Sequence, residues 1–179
     1  MHKRQTTLEA GRVRTLDGGR TVSDLHAAAD CVEIEALRAE QSDAAMVHDY
    51  DRFAALFTED GVWRIPYVHL EFIGRDQIRA AVERAQEIVW NYFIQTTHAG
   101  VIQLDGDRAS GRAYVHEFGH TRSGRSQLHY AIYHDRYLRT PEGWRFAERT
   151  YEIRYADNTD LAGSPPVRPD TPHSEASQP

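Results

Sequence analysis

The chemistry open to this chain is concentrated in its histidines. There are 10 of them, and an imidazole with an ordinary pKa near 6.5 gives and takes protons at neutral pH. His98 closes the run Gln95-Thr96-Thr97-His98 inside a segment of strand character, which makes it a candidate general acid/base. The alternative is a half-buried strand histidine bonded to backbone. His116-Glu117-Phe118-Gly119-His120 matches the pattern H-E-x-x-H. That pattern holds zinc only on a helix, where residues four apart share a face. Here it continues an alternating stretch, Asp107 to Val115, and on a strand residues four apart stand ~13 Å from each other at ~3.3 Å per residue. No metal site is expected. His116, Phe118 and His120 do share one strand face, so if that face is concave His116 or His120 is a second proton-transfer candidate. His129, Tyr133 and Asp135 alternate on a later strand and read as exposed sheet or a subunit interface. No glycine-rich dinucleotide loop, phosphate-binding loop or G-x-S-x-G elbow occurs, so nucleotide-cofactor and serine-hydrolase chemistry have no support, and no cofactor is expected.

Those side chains must be positioned by a chain of 179 residues, the size of one domain and enough for a sizeable core. Hydrophobic residues make up 40% and charged residues 27%, with a net charge of −6. These proportions are those of a globular domain, and the acidic balance with no Lys/Arg block argues against a nucleic-acid partner. No apolar run is long enough for a membrane helix, and no signal-peptide core precedes the domain. Cys31 is the lone cysteine, in an apolar helical stretch that fits an inert buried thiol. The expectation from these features is a cytoplasmic protein without a membrane partner.

Three organisational segments follow. Residues 1–22 are polar, contain Gly18-Gly19 and read as a flexible arm. Residues 23–156 form the folded domain. Residues 157–179 hold Pro165, Pro166, Pro169, Pro172 and Pro179 and read as a Pro-rich tail. Within the domain, Ile34, Leu37, Gln41, Ala44, Ala45 and His48 mark one face of a long helix, with Ser23 or Asp24 as its cap. A short helix runs from Arg52 to Phe57, and Thr58-Glu59-Asp60-Gly61 reads as a turn. Val62 to Tyr67 reads as a strand. A third helix begins at Gly74-Arg75-Asp76 and reaches about Val89, with Ile78, Ala81, Val82 and Ala85 on one side. Then come four strands: Tyr92 to Leu104, Arg108 to His120, Gln127 to Leu138 and Trp144 to Tyr155. Asp105-Gly106-Asp107, the turn around Gly124 and Pro141-Glu142-Gly143 join them. Helices first and a meander of long antiparallel strands after them indicate an α+β fold.

The stretch His48-Asp49-Tyr50-Asp51-Arg52-Phe53-Ala54-Ala55-Leu56-Phe57-Thr58-Glu59-Asp60-Gly61-Val62-Trp63, preceded by Ile34-x-x-Leu37, resembles the opening of SnoaL-like proteins of the nuclear transport factor 2, ketosteroid isomerase and scytalone dehydratase superfamily. Gly74-Arg75-Asp76-x-Ile78, Leu104-Asp105-Gly106-Asp107-Arg108-Ala109 and Gly143-Trp144-Arg145-Phe146 agree with it, in order and spacing, over about residues 30–156. The resemblance implies a cone-shaped fold in which helices pack on a strongly curved, antiparallel or mixed sheet around a pocket. It implies a cofactor-free dehydratase, isomerase or cyclase acting on a small hydrophobic polycyclic or polyketide-like substrate, or a non-catalytic accessory subunit such as the small subunit of ring-hydroxylating dioxygenases. A homodimer or homotrimer is expected. By the same resemblance His98 is the catalytic histidine, and Tyr67 activates substrate or water. Acid–base members carry Tyr where this chain has Gln41 and Asp where it has Met46. Asp43, three residues before Met46, is either the substitute carboxylate aimed at His98 or a solvated helix residue. Gln41, Met46, Trp63, Phe72, Trp90, Phe118 and Tyr133 are the expected pocket lining.

Overall fold

The computed structural model describes residues 15–16 and 20–165. Most of the arm expected over 1–22, and the part of the Pro-rich tail from 166 onward, lie outside the described residues. Two short strands, β1 (Thr15–Leu16) and β2 (Arg20–Thr21), pair antiparallel ahead of the long helix α1 (Val22–Met46). The inward stripe of α1 is Ile34, Leu37, Gln41, Ala44 and Ala45, spaced three and four apart as one helical face requires. Asp49 caps the short helix α2 (Tyr50–Ala55), its carboxylate accepting from the Arg52 amide at 3.1 Å.

The strands β3 (Phe57–Ile65), β4 (Leu70–Ile73), β5 (Trp90–Asp105), β6 (Arg108–Thr121), β7 (Ser126–Thr140) and β8 (Gly143–Asp157) form one sheet in the order β4-β3-β8-β7-β6-β5. All neighbours are antiparallel except β3 and β8. The sheet is curved but open, since its edge strands β4 and β5 do not pair. The expected turn at Thr58 to Gly61 is instead part of β3, where the pairing with β8 shifts register between Phe57 and Val62. Gly61 suits that irregularity, because a Cβ there would meet Phe57 Cβ at 2.9 Å and two carbonyls near 3 Å. The strand β4 was not anticipated. It is four residues long and follows the Pro66–Val68 turn, so it offers too little alternation to read from sequence.

Helix α3 (Arg75–Arg84) passes into a π-helical turn, Ala85–Val89, before β5. The main apolar core lies between the helices and one end of the sheet, with Phe53, Phe57, Ile78, Trp144 and Phe146 almost wholly buried. Each such side chain contributes about 1.5–3 kcal/mol by leaving water. Among the described residues no helix covers the other sheet face, where Ile94, Tyr114, Tyr130 and Tyr155 are exposed. Among the described residues no helix is long and apolar enough to cross a membrane. The first residues past β8 fold back rather than trailing away: the Leu161 amide donates to Ser126 Oγ at 2.9 Å, and the Tyr92 hydroxyl donates to the Gly163 carbonyl at 3.3 Å.

A buried polar chain ties α1 to the sheet. Arg149, 0% exposed, donates through Nε and Nη2 to the two oxygens of Asp135 at 2.8 and 2.9 Å, and through Nη1 to Gln41 Oε1 at 2.9 Å. The Tyr137 hydroxyl donates to Asp135 at 2.5 Å, and Arg38 Nε donates to that hydroxyl at 2.7 Å. The Arg149 guanidinium also lies over the rings of Tyr133 and Phe146, at 3.8 and 4.0 Å from their centroids. Removing one member of such a pair strands the other charge in the interior. Arg149→Leu is therefore expected to cost about 3–5 kcal/mol in urea unfolding, whereas Arg149→Leu with Asp135→Leu costs less than the two single changes added together. A single-variant loss under about 1 kcal/mol would contradict this assignment.

Candidate functional site

Between α1, the π turn and the inner sheet face lies a mostly apolar cavity of about 140 Å³. Ala45, Phe53, Trp63, Ile65, Val82 and Phe93 supply much of its apolar wall, and Gln41, Gln86, Gln95, Glu117, Tyr133 and Tyr151 its polar groups. A larger cavity of about 590 Å³ adjoins it. The two share Ile65, Trp90, Glu117 and Tyr151, and His129, Tyr67 and Asp160 face only the outer one.

Glu117 is the chemical centre of this arrangement. It is 8% exposed. Its Oε1 accepts from the Tyr151 hydroxyl at 2.5 Å and stands 3.1 Å from His129 Nδ1, and its Oε2 accepts from Gln95 Nε2 at 2.8 Å. Gln95 is itself oriented: Ser42 Oγ donates to its carbonyl at 3.1 Å, and its amide also reaches the Tyr133 hydroxyl at 3.3 Å. These contacts around a buried carboxyl offset its lost hydration. Tyr151 remains a proton donor, because burial and then the charge of Glu117 push its phenol far above the ordinary range. Burial also pushes Tyr133 up to about 12, against the pull of Arg149.

The catalytic residues expected from sequence are not brought together. Alternation along β5 points Gln95 and Thr97 inward to Ser42, so His98 falls on the outer face, exposed and in register with Tyr114. It cannot reach the cavity. Asp43 is exposed on α1 and paired with Arg52 at 2.6 Å; the solvated reading is the right one. His116 is also on the outer face, its ring stacked on Tyr130 at 4.6 Å, and Phe118 sits beside it there. The face carrying His116, Phe118 and His120 is thus the convex one, and Glu117 between them is the inward residue. Tyr67, 70% exposed in the turn after β3, lines only the outer cavity.

Of the expected lining, Gln41, Trp63, Trp90 and Tyr133 face the inner cavity. Phe72 does not; it packs on Trp63 with ring centroids 5.7 Å apart. Met46 is 39% exposed, and its Sδ accepts from the Gln95 amide at 3.1 Å. The strand residue opposite position 46 is therefore Gln95, and neither partner of the implied acid–base pair is present at that place. His129, Tyr133 and Asp135, expected on an exposed face, point inward. Among the described residues no three His, Cys, Asp or Glu side chains gather as metal ligands would.

The phenols give this interior a pH signature. Burial, followed by Asp135, raises Tyr137 as well, and Tyr50 is raised by burial beside Glu87. A phenol whose folded pKa exceeds its unfolded value of about 10 stabilises the native state below that pH and ceases to do so as pH climbs through the folded value. Of nine tyrosines, Tyr133, Tyr137 and Tyr151 should ionise only together with alkaline unfolding, and Tyr50 late. Tyrosinate absorbance followed beside circular dichroism checks this. Tyr151→Phe should remove one phenol from the late step, and a late step unchanged in size would contradict the assignment.

Comparison with known proteins places this geometry. No functionally curated protein matches the chain. Among solved structures, hexachlorocyclohexane dehydrochlorinase LinA-type3 from Novosphingobium barchaimii superposes with a TM-score of 0.71 at 22% identity, covering 82% of this chain and 99% of that one. A Novosphingobium aromaticivorans protein assigned provisionally as a scytalone dehydratase gives 0.68 at 18%, covering 83% and 99%. Another from that organism, provisionally an aromatic ring hydroxylase, gives 0.68 at 24%, covering 74% and 94%. At these identities the likeness is one of fold. The profile of the SnoaL-like domain matches residues 26–150, which spans α1 to β8 and every residue of the inner cavity except Tyr151, and the chain belongs to the SnoaL-like family.

Proposed function

We propose that the chain is a cofactor-independent lyase or isomerase in which Glu117 is the general base and acid. The observation that carries this reading is one buried carboxylate on the wall of a small, largely apolar cavity, held by Tyr151, Gln95 and His129. Glu117 takes a proton from a carbon acid in the inner cavity, and the fixed donors limit the reorganisation as its charge changes. His129, on the outer side of the same carboxylate, offers the proton a route to solvent. A dehydrochlorinase and a scytalone dehydratase among the structural neighbours, both named for eliminations, support this class of reaction. A cavity of roughly 150 Å³ accommodates benzene, so the reacting part of the substrate is a single ring, and a polycyclic substrate would extend into the outer cavity.

A second reading, a ligand-binding subunit without chemistry, is favoured by one observation. Both oxygens of Glu117 are already engaged, and Met46 and Gln95 stand where an acid–base pair is implied. The two readings differ in a deuterium experiment. A panel of ring-sized carbon acids is incubated with the protein in heavy water and followed by mass spectrometry for exchange or elimination. Under the enzymatic reading the wild type accelerates one of them, and Glu117→Gln, folded by circular dichroism, lowers that rate by about 10²–10⁴. Rates equal in wild type and Glu117→Gln, or ligands that bind without exchanging, would select the second reading.

A further inference from the structure

Nearly every polar group on the inner cavity wall has a protein partner. Gln41 is held by Arg149, Gln95 by Ser42 and Glu117, and Tyr151 by Glu117. Two groups stand apart. The Trp63 indole Nε1 is sealed from solvent and has no acceptor. Gln86 is 6% exposed and, among the described residues, makes no side-chain hydrogen bond, yet it lines the same wall. It also breaks a pattern: Ile78 and Val82 are buried four residues apart on α3, and the next position of that stripe carries an amide. The π turn beginning at Ala85 carries it, and such turns recur at functional sites. A buried donor left unpaired costs about 1–3 kcal/mol, so each such group calls for an explanation. The Trp63 indole is such a group, and the Gln86 amide, without a side-chain partner among the described residues, lies on another element around the same ring-sized apolar cavity.

We infer that the inner cavity binds an uncharged single-ring compound bearing a carbonyl-type oxygen, with the Trp63 indole N–H and the Gln86 amide donating to that oxygen. A charge on the ligand is disfavoured because the wall is largely apolar and its carboxyl group, Glu117, already has protein partners on both oxygens. The oxygen supplies what the wall lacks, an acceptor for the buried Trp63 indole and for the Gln86 amide beside the cavity. The assignment rests on reading this cavity as a substrate pocket. It adds to the acid–base reading the substrate's polar handle, held on the same wall as the carboxylate.

The test compares cyclohexanone with methylenecyclohexane, which replaces the oxygen by a CH2 group at nearly constant shape. Affinities are measured by calorimetry on the full chain. In parallel the Trp63 indole proton, assigned by its through-space contacts to the rings of Phe53 and Phe72, is followed by nuclear magnetic resonance. The ketone should bind about tenfold more tightly than the hydrocarbon, the worth of one net hydrogen bond. It should move the Trp63 indole proton downfield, and the hydrocarbon should not. Trp63→Phe and Gln86→Leu should each reduce the preference while still binding methylenecyclohexane. The resonance experiment on wild type decides the matter even if Trp63→Phe fails to fold. Equal affinities, an unmoved indole proton, a preference intact in both variants, or no binding of either compound would each overturn the inference. The deuterium experiment with Glu117→Gln is scored separately on carbon acids of other shapes, so failure here leaves it readable.

Discussion

The interior depends on one bidentate ion pair. Arg149 and Asp135 are both removed from water, a placement that costs several kcal/mol per ion and is tolerated only when geometry and further hydrogen bonds are nearly complete. Here they are. Asp135 takes two bonds from Arg149 and one from Tyr137, and the remaining Arg149 nitrogen reaches Gln41 on α1. The pair therefore does more than neutralise itself. It fixes the rotation of α1 against the sheet through Gln41 and, by way of Tyr137, Arg38. It also sets the plane against which Tyr133 lies. The cavity floor is the upper surface of this assembly.

Above that floor the same logic is repeated with a single sign of charge. Among the described residues no Lys or Arg stands against Glu117; its oxygens meet the Tyr151 hydroxyl, the Gln95 side-chain amide and the His129 ring. Neutral donors hold a carboxylate less deeply than a guanidinium does. Within a single β-sheet interior Asp135 is thus held by a guanidinium, and Glu117 by a phenol, an amide and an imidazole. The two networks meet at Tyr133, which lies under Arg149's influence and accepts from Gln95.

The architecture was legible because long alternating strands and a clean helical stripe leave little choice. Order, hairpin turns and the α1 face with Ile34, Leu37 and Gln41 all follow from periodicity. The site was less legible, for a specific reason. In β5 both phases mix polar and apolar residues, so nothing local says whether His98 or Gln95 faces inward. In β6 the phase could be read: Arg108, Ser110 and Arg112 occupy one alternation, while Ala109, Ala113 and Val115 occupy the other, and Glu117 is in step with the second set. A carboxylate in phase with buried small residues was the signal, and the neighbouring histidines drew attention from it. For β7 no such reading exists, because its buried phase contains His129, Tyr133 and Asp135. Their burial depends on partners on β6 and β8 that only the folded chain supplies.

The threefold engagement of Glu117 shapes how this pocket can change over generations. Replacing Gln95, Tyr151 or His129 alone removes a donor and leaves a buried oxygen short; replacing Glu117 alone leaves three donors facing one another's empty places. Substitutions in one hydrogen-bonded network are strongly non-additive. Substitutions at these four positions are accordingly coupled. Ile65 and Phe93, which line the cavity without a polar contact and lie outside the fully buried core, are less constrained, whereas Phe53 and Val82 also carry the core.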